Sequence, residues 1–217
     1  NGFELTTDLD FDTNGDGQMN ELDTYWNDGK GWSPIGTQPA TFSGHFDGNG
    51  HQIRNLYVQP TYPYPAGLFG HISGKPTQIT NIRRLVISGP LNKVTGLRDA
   101  GILAGVANYT ALDQILVTGV VISLSSQQPS SGSVGGVVGR LMYSTGTNLF
   151  SSVDIFGGSE RGSLIGDASN SSLSSSIATG YVEREYLDSV NVFRAGSLLG
   201  DGNSSTTLNS VYWTNDV

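Results

Sequence analysis

The most regular feature of the chain is a short repeat in which two or three apolar residues are followed by glycine. It occurs five times, and the closing glycines are 35, 34, 27 and 34 residues apart. A second apolar stretch follows each glycine after a few polar residues. The copies occupy residues 67–70, 101–105, 136–139, 163–166 and 197–200. Self-similarity at such a period predicts an architecture of stacked repeating units.

The apolar runs favour strands over helices. They are short and rich in β-branched residues, and Gly and Ser interrupt them every few positions, which would destabilise a helix. Short strands with a conformationally special glycine at each corner fit this pattern better. One such unit cannot bury its own apolar side, but stacked copies can. We therefore predict an all-β solenoid of five to six coils, with an inward ladder formed by Leu68, Leu103, Val137, Leu164 and Leu198.

Composition supports a single domain and narrows the class of partner. The 217 residues carry a net charge of −8, which argues against nucleic acid or an anionic membrane surface as the main partner. No apolar run approaches the ~20 residues of a membrane span, and cysteine is absent. We expect one solenoid domain over residues 1–217. Its first part, 1–41, would hold a strand and an acidic loop, and 42–217 would form the coils.

The acidic loop has the spacing of a calcium-binding loop. Between Asp12 and Asp23, oxygen-bearing side chains fall at loop positions 1, 3, 5, 9 and 12, and Gly17 falls at position 6, where such a loop turns sharply. The loop is similar to that of dockerins, which also close with Asp and carry an apolar residue at position 8, here Met19. The expected Ca²⁺ ligands, counting the position-7 carbonyl, are Asp12, Asn14, Asp16, Gln18, Asn20 and Asp23.

Two alternatives remain open for this segment. A second register would use Asp10, Asp12, Asn14, Asp16 and Glu21, with Gly15 at position 6. It ends on the better ligand, Glu, but puts Gly17 where an apolar residue normally anchors the loop. The other alternative is a turn without metal, because Asp, Asn and Gly dominate turns in general. We favour calcium in the first register, with Asp23 bidentate.

The segment 42–58, Phe-Ser-Gly-His-Phe-Asp-Gly-Asn-Gly-His-Gln-Ile-Arg-Asn-Leu-Tyr-Val, together with the later Gly-Leu-Phe-Gly and Gly-Gly-Val-Val-Gly units, resembles GLUG-repeat proteins. These are bacterial secreted and surface proteins, among them large adhesins and the non-catalytic part of IgA-specific metallopeptidases. The resemblance covers roughly residues 5–213. It implies a right-handed parallel β-helix and an extracellular or cell-surface location, and it fixes no activity.

Other polar groups have simpler interpretations. His45, Asp47 and His51 surround Asp-Gly and Asn-Gly turn dipeptides, so a corner is favoured over a metal site. His71 is expected at the surface, and Ser171 and Ser205 are expected to contribute little to stability. The strongest candidates for ligand contact lie on a proline-stiffened loop and are Tyr62 and Tyr64.

No catalytic constellation is evident from the sequence, because the acids of the repeats appear one at a time. We expect a non-enzymatic, calcium-stabilised module of a bacterial surface or secreted adhesin-like protein, itself part of a larger multidomain chain. It would act as a rigid scaffold or bind a host-surface, glycan or protein ligand, without membrane insertion. The alternative is a carbohydrate-active β-helix enzyme, a polysaccharide lyase or glycoside hydrolase. Such an enzyme would gather two or three carboxylates, or a carboxylate and an arginine, on one side of the coils.

Overall fold

The computed structural model describes residues 2–59, 65–124, 132–183 and 194–214. Within these ranges the regular elements are a single 3-10 turn at Asn27–Gly29 and nineteen strands. In chain order the strands are β1 (Gly2–Glu4), β2 (Leu9–Asp10), β3 (His45–Asp47), β4 (Gln52–Arg54), β5 (Tyr57–Val58), β6 (Phe69–Ser73), β7 (Thr80–Ser88), β8 (Lys93–Gly96), β9 (Ala104–Asn108), β10 (Thr110–Ser123), β11 (Ser133–Gly135), β12 (Val138–Met142), β13 (Thr145–Phe156), β14 (Glu160–Gly162), β15 (Ile165–Ser169), β16 (Ser172–Thr179), β17 (Arg194–Gly196), β18 (Leu199–Gly202) and β19 (Thr207–Trp213).

The strands form three sheets in which every ladder between them is parallel. Strands β6, β9, β12, β15 and β18 form a five-stranded sheet, and β11, β14 and β17 form a three-stranded one. The other strands form an eleven-stranded sheet, in which β7, β10, β13, β16 and β19 are successive neighbours. The prediction of an all-β fold is confirmed, with long parallel sheets that do not close on themselves.

The pairing register follows the repeat of the sequence. Phe69 pairs with Ala104, Ala104 with Val138, Val138 with Ile165, and Ile165 with Leu199. All five closing glycines therefore occupy the same register position in the five-stranded sheet. This holds for the copy with an inserted Ala and for the two copies that begin with Ser. These departures from the repeat leave the register intact.

The closing glycines do not make the corners, contrary to the prediction. They are absent from the residues with positive φ. Instead, a Cβ on Gly139 would lie 2.6 Å from the backbone oxygen of Ser133 and 2.6 Å from the backbone nitrogen of Ala100, and Gly166 is enclosed by backbone in the same way. The repeat requires glycine because two backbone segments pass each other at this point.

A recurring bend is made by non-glycine residues in the left-handed region. In the eleven-stranded sheet they occupy a single register level, and their φ values lie between 48° and 56°. Such φ values are uncommon for residues other than glycine, so their recurrence at one register position shows that the bend is a regular part of the fold. The residues are Arg84, Gln114, Asn148, Ser175 and Ser210.

The predicted inward ladder is confirmed. From Leu103 onward its members are linked in order by backbone hydrogen bonds, such as Leu103 N–H to the Val137 carbonyl at 3.0 Å and Val137 N–H to the Leu164 carbonyl at 2.9 Å; the Leu68 N–H donates to the carbonyl of Ile102, next to Leu103. All five side chains lie in the hydrophobic core, with Leu198 the most exposed at 6%. The core is continuous from Phe11 to Leu198, so stacking does bury the apolar side that a single unit would expose.

A second ladder is built from buried hydroxyl groups and corrects the expectation for Ser171. Ser171 is 3% exposed, and its Oγ accepts the Ser144 N–H at 3.2 Å, while the Ser144 Oγ accepts the Thr110 N–H at 2.9 Å. Both serine hydroxyls also donate to nearby carbonyl oxygens. These hydroxyls satisfy buried backbone groups where the chain passes between sheets, so Ser171 is structural.

The N-terminal segment packs against the first turn of the repeat. β1 pairs with β3 and β2 with β4, and the Ile35 N–H donates to the Leu68 carbonyl. Phe11 is buried against Tyr25 and Trp32, and the Trp32 Nε1–H donates to the Leu68 carbonyl at 3.0 Å. The acidic loop is thereby anchored to the core. In the described part of the chain, no helix has the length and apolarity needed to cross a membrane.

Candidate functional site

The acidic loop is organised around the carboxylate of Asp12. Its Oδ1 accepts the backbone N–H of Gly15 at 2.9 Å and of Asp16 at 3.2 Å, and its Oδ2 accepts that of Gly17 at 3.0 Å. Gly15 and Gly17 have φ values of 72° and 78°, which glycine adopts without strain. The sequence thus folds into a tight turn that wraps the carboxylate at loop position 1.

Three more of the predicted ligands converge on one another. The Nδ2 groups of Asn14 and Asn20 donate to Asp16 Oδ2 at 3.1 Å and 2.8 Å. A half-turn of either amide about its Cβ–Cγ bond would place a carbonyl oxygen where the nitrogen now stands, with loss of the hydrogen bond that its Oδ1 accepts at 2.9 Å from the Asp16 or the Leu22 N–H. The three side chains could then present oxygens to one ion, which is the ligand chemistry Ca²⁺ requires.

Asp23, at loop position 12, closes the loop on its buried side. It is 5% exposed; its Oδ1 accepts the Thr13 N–H at 2.7 Å and its Oδ2 accepts the Asn20 N–H at 3.0 Å. Burial by itself opposes ionisation, but the hydrogen bonds from Asn20, Thr13 and Asn14 outweigh it and lower the pKa of this carboxyl. Oδ1 is also approached by the Thr13 hydroxyl and the Asn14 N–H. Asp23 is thus held as an anion at the loop, with spare acceptor capacity mainly on Oδ2.

The ligands of the two candidate registers have different surroundings in the structure. Glu21 is exposed, whereas Asp10 accepts a hydrogen bond from the Asn55 amide at 2.8 Å and lies 3.7 Å from Arg54 Nε. Asp10 is thereby committed to contacts with the β4 segment. Met19, at loop position 8, packs against the hydrophobic core, as the apolar anchor of the first register should. Gln18 is exposed, and its N–H donates to Asp16 Oδ1 at 2.8 Å.

Carboxylates alone do not form a metal site in this structure. Among the described residues there is no group of three or more His, Cys, Asp and Glu side chains arranged to hold an ion. A calcium site at the loop would therefore depend on the two asparagines and on backbone carbonyl oxygens, as the spacing predicts. The loop contains these types of oxygen donor.

A second constellation lies on the five-stranded sheet, and sequence reasoning missed it. Each residue that directly follows a closing glycine stands at one register level. Within that row, the guanidinium of Arg140 lies between two carboxylates, with NH2 3.3 Å from Asp99 Oδ1 and Nε 3.3 Å from Asp167 Oδ2. The row consists of His71, Val106, Arg140, Asp167 and Asp201.

The neighbouring three-stranded sheet adds to this acidic region. The Ser133 hydroxyl donates to Glu160 Oε2 and accepts a hydrogen bond from Arg140 NH2 at 3.2 Å. Burial raises the pKa of the Asp167 carboxyl, and the nearby Glu160 and Asp201 raise it further, while Arg140 opposes them. The expectation that the repeat acids stand alone is therefore wrong for Asp99, Asp167 and Asp201, because the register of the parallel strands brings together residues 27 to 68 positions apart.

A cleft of about 390 Å³ opens beside Arg140, and His71 lines it. His71 is 9% exposed, so the expectation of a surface histidine is wrong. Burial lowers the pKa of its imidazole, and the charge of Asp99 only partly offsets this effect. The ring is therefore neutral at pH 7. The other residues lining the cleft are Gln38, Pro65, Arg98, Asp99, Val106, Arg140 and Met142.

The three residues weighed as a possible metal site, His45, Asp47 and His51, each contact different partners. His45 Nδ1 accepts the Asn81 N–H at 3.1 Å, whereas His51 Nδ1 lies 3.0 Å from Asp8 Oδ1. Asp47 binds Arg83 and Arg84, and the Arg84 hydrogen bond is the main cause of its strongly lowered pKa. With Asn49 and Gly50 at positive φ, the segment is the turn that the sequence favoured. Tyr62 and Tyr64 lie outside the described residues.

Comparisons with known proteins give partial matches. No protein family model matches the chain, and no solved structure matches it. A halomucin of Haloquadratum walsbyi is 31% identical over 142 residues, which is 64% of this chain and 1% of the halomucin. A putative Gly-rich membrane protein of Evansella cellulosilytica is 34% identical over 90 residues, or 41% of this chain and 10% of that protein. The chain thus matches only small parts of these two much longer relatives.

Proposed function

We propose that this chain is a calcium-stabilised, right-handed parallel β-helix module of a larger surface or secreted adhesin-like protein. The observation that carries the proposal is the register: five turns of chain stack in parallel on one continuous core, and the acidic loop is anchored to the first of them. A stack of this kind is stiff because each turn is held by its neighbours. The module would hold or present binding surfaces without turning over a substrate.

The cell-surface part of the proposal draws on the relatives. One is named a halomucin and the other a putative Gly-rich membrane protein. Both names are compatible with a protein that works at the cell boundary. The proposed membership of the GLUG-repeat group rests on the residues quoted above and is compatible with the same location.

The calcium part is tested by chelation. Metal that binds only the folded state stabilises it by about 2.7 kcal/mol at a hundred times Kd, so EDTA should lower the melting temperature. Asp12→Ala should abolish that dependence, since Asp12 organises the loop, whereas Glu21→Gln should keep it. No EDTA effect, with no metal in native mass spectra, would overturn the proposal. Loss of the dependence in Glu21→Gln but not in Asp23→Asn would assign the other register.

A carbohydrate-active enzyme is the second candidate, and one specific observation favours it. Asp99, Glu160, Asp167 and Asp201 gather near Arg140, and Asp167 has the raised pKa typical of a proton donor. Incubation with a polysaccharide panel decides between the two functions. Release of reducing ends or unsaturated products that Asp167→Asn abolishes would establish the enzyme. Absence of turnover across the panel is the result we expect.

A further inference from the structure

The cleft beside Arg140 contains polar groups whose hydrogen-bonding capacity is unused. Asp99 is 5% exposed, and its Oδ1 accepts the Ser133 N–H at 2.9 Å. No hydrogen bond to its Oδ2 is found within the described ranges. The Nδ1 of His71 lies 3.4 Å from the Gln38 amide, and its Nε2 has no hydrogen-bond partner in the same part of the chain.

Arg140 is also incompletely satisfied. Its guanidinium carries five N–H donors, yet its one hydrogen bond to a described residue is the 3.2 Å bond to the Ser133 hydroxyl. Its Nε is buried and has no hydrogen-bond acceptor, although Asp167 lies at ion-pair distance. Buried polar groups in native proteins are normally paired, so the unpaired Nε of Arg140 beside the open acceptors of Asp99 and His71 calls for an explanation. A ligand that supplies both donors and acceptors provides one.

The chemistry of the walls indicates what such a ligand would be. Donors of Arg140 stand directly beside the acceptor Asp99, and each hydroxyl group can donate and accept at once. Val106, Pro65 and Met142 add apolar surface, which suits the C–H face of a ring. Val106 is 5% exposed but lies outside the hydrophobic core cluster, so its side chain belongs to the cleft wall.

The charge balance favours a neutral ligand over an anionic one. The charge of Arg140 is already matched by Asp99 and Asp167, and Glu160 and Asp201 leave an excess of negative charge nearby. Arg98 lines the rim, where it is exposed and its charge is screened by solvent. A carboxylate entering the cleft would meet this acidic field, whereas a neutral hydroxyl-rich ring would not.

We propose that the cleft formed by His71, Asp99, Arg140 and Val106 binds a neutral pyranose unit of a glycan. The proposal goes beyond the scaffold function, since the cleft could bind a sugar even if the chain needs no calcium. It also differs from the enzyme alternative because it requires no turnover.

The test uses the full chain and calorimetric titration with defined sugars. The probes are methyl glycosides of glucose, galactose and mannose and short neutral oligosaccharides of the same sugars, with the matching uronates and a peptide library alongside. Asp99→Asn keeps an acceptor for the Ser133 N–H but loses the charge, and His71→Phe removes the open ring nitrogen. Each should raise Kd roughly tenfold or more, because hydrogen bonds to charged or buried groups are lost.

Two further variants keep the result interpretable. Val106→Trp should fill the cleft and abolish binding while leaving the core cluster untouched. Asp113→Asn is the matched control: this carboxylate accepts a hydrogen bond from the Asn148 amide at 3.0 Å and lies away from the cleft. Circular dichroism melts would confirm that each variant folds. Binding of uronates or peptides alone, binding that survives Val106→Trp, or no binding to any probe would each overturn the proposal.

Discussion

Gly139→Ala tests why the repeat needs glycine: to let backbone segments approach closely, or to adopt a special backbone conformation. The new methyl group would lie 2.6 Å from Ala100 N, 2.6 Å from Ser133 O and 2.7 Å from Gly105 O. All three atoms belong to backbone, Ser133 O in the same turn and Ala100 N and Gly105 O in the preceding one, so none can move aside as a flexible side chain would. Overpacking of this kind typically costs 1–3 kcal/mol, and we expect a loss of about 3 kcal/mol because three backbone contacts are violated together.

The measurement is urea unfolding followed by circular dichroism, supported by thermal melts. For a chain of this size, about 3 kcal/mol corresponds to a fall of roughly 6–12 °C in melting temperature. Gly202→Ala is the matched control, since its nearest neighbour would be Ala168 O at 3.5 Å, an ordinary contact. If the two substitutions cost the same within about 0.5 kcal/mol, with unchanged dependence on urea, the close-approach explanation is refuted.

Four further outcomes are expected. Leu103→Ala should cost about 2–5 kcal/mol in urea unfolding, since the side chain is fully buried, and a loss below 1 kcal/mol would contradict the continuous core. Ser171→Ala should cost about 1–3 kcal/mol because it leaves the Ser144 N–H buried without an acceptor; the exposed Ser205→Ala, near neutral, is its control. EDTA should lower the melting temperature of the native chain but not of Asp12→Ala. Folding lowers the pKa of Asp47, so the ionised carboxylate stabilises the folded state fully above its unfolded-state pKa, and this stabilisation is lost as the pH falls. The difference in unfolding free energy between the native chain and Asp47→Asn should therefore narrow on acidification. A difference that does not change with pH would contradict this reasoning.

The predicted ligands of the acidic loop lie close in sequence, and this is why the sequence could predict that they converge. A loop of twelve residues fixes which side chains converge through local turn geometry alone. The structure places Asp12, Asn14, Asp16 and Asn20 around one another, with Asp23 beneath them. The contacts of Asp23 are local as well, since its oxygens accept the N–H groups of Thr13, Asn14 and Asn20 in the same loop.

The Arg140 cleft shows the opposite case. A signal for it does exist in the sequence, because its row consists of the residues that follow each closing glycine, from His71 to Asp201. The outward direction of those residues, and the approach of Asp99 from a bend and of Glu160 from the three-stranded sheet, are set by how successive repeats pack on one another. Neither can be obtained from spacing in a single chain.

The sequence by itself determined the strand-rich repeat, its spacing, the inward ladder through Leu103 and the candidate calcium loop. Each of these depends on local periodicity or on residues a few positions apart, which the order of apolar and polar side chains fixes directly. Only the tertiary structure decided why the repeat needs glycine, where the bends fall, and why Ser171 and His71 are buried. These features arise where segments about 30 residues apart press against each other, and the geometry of that contact is a property of the whole stack.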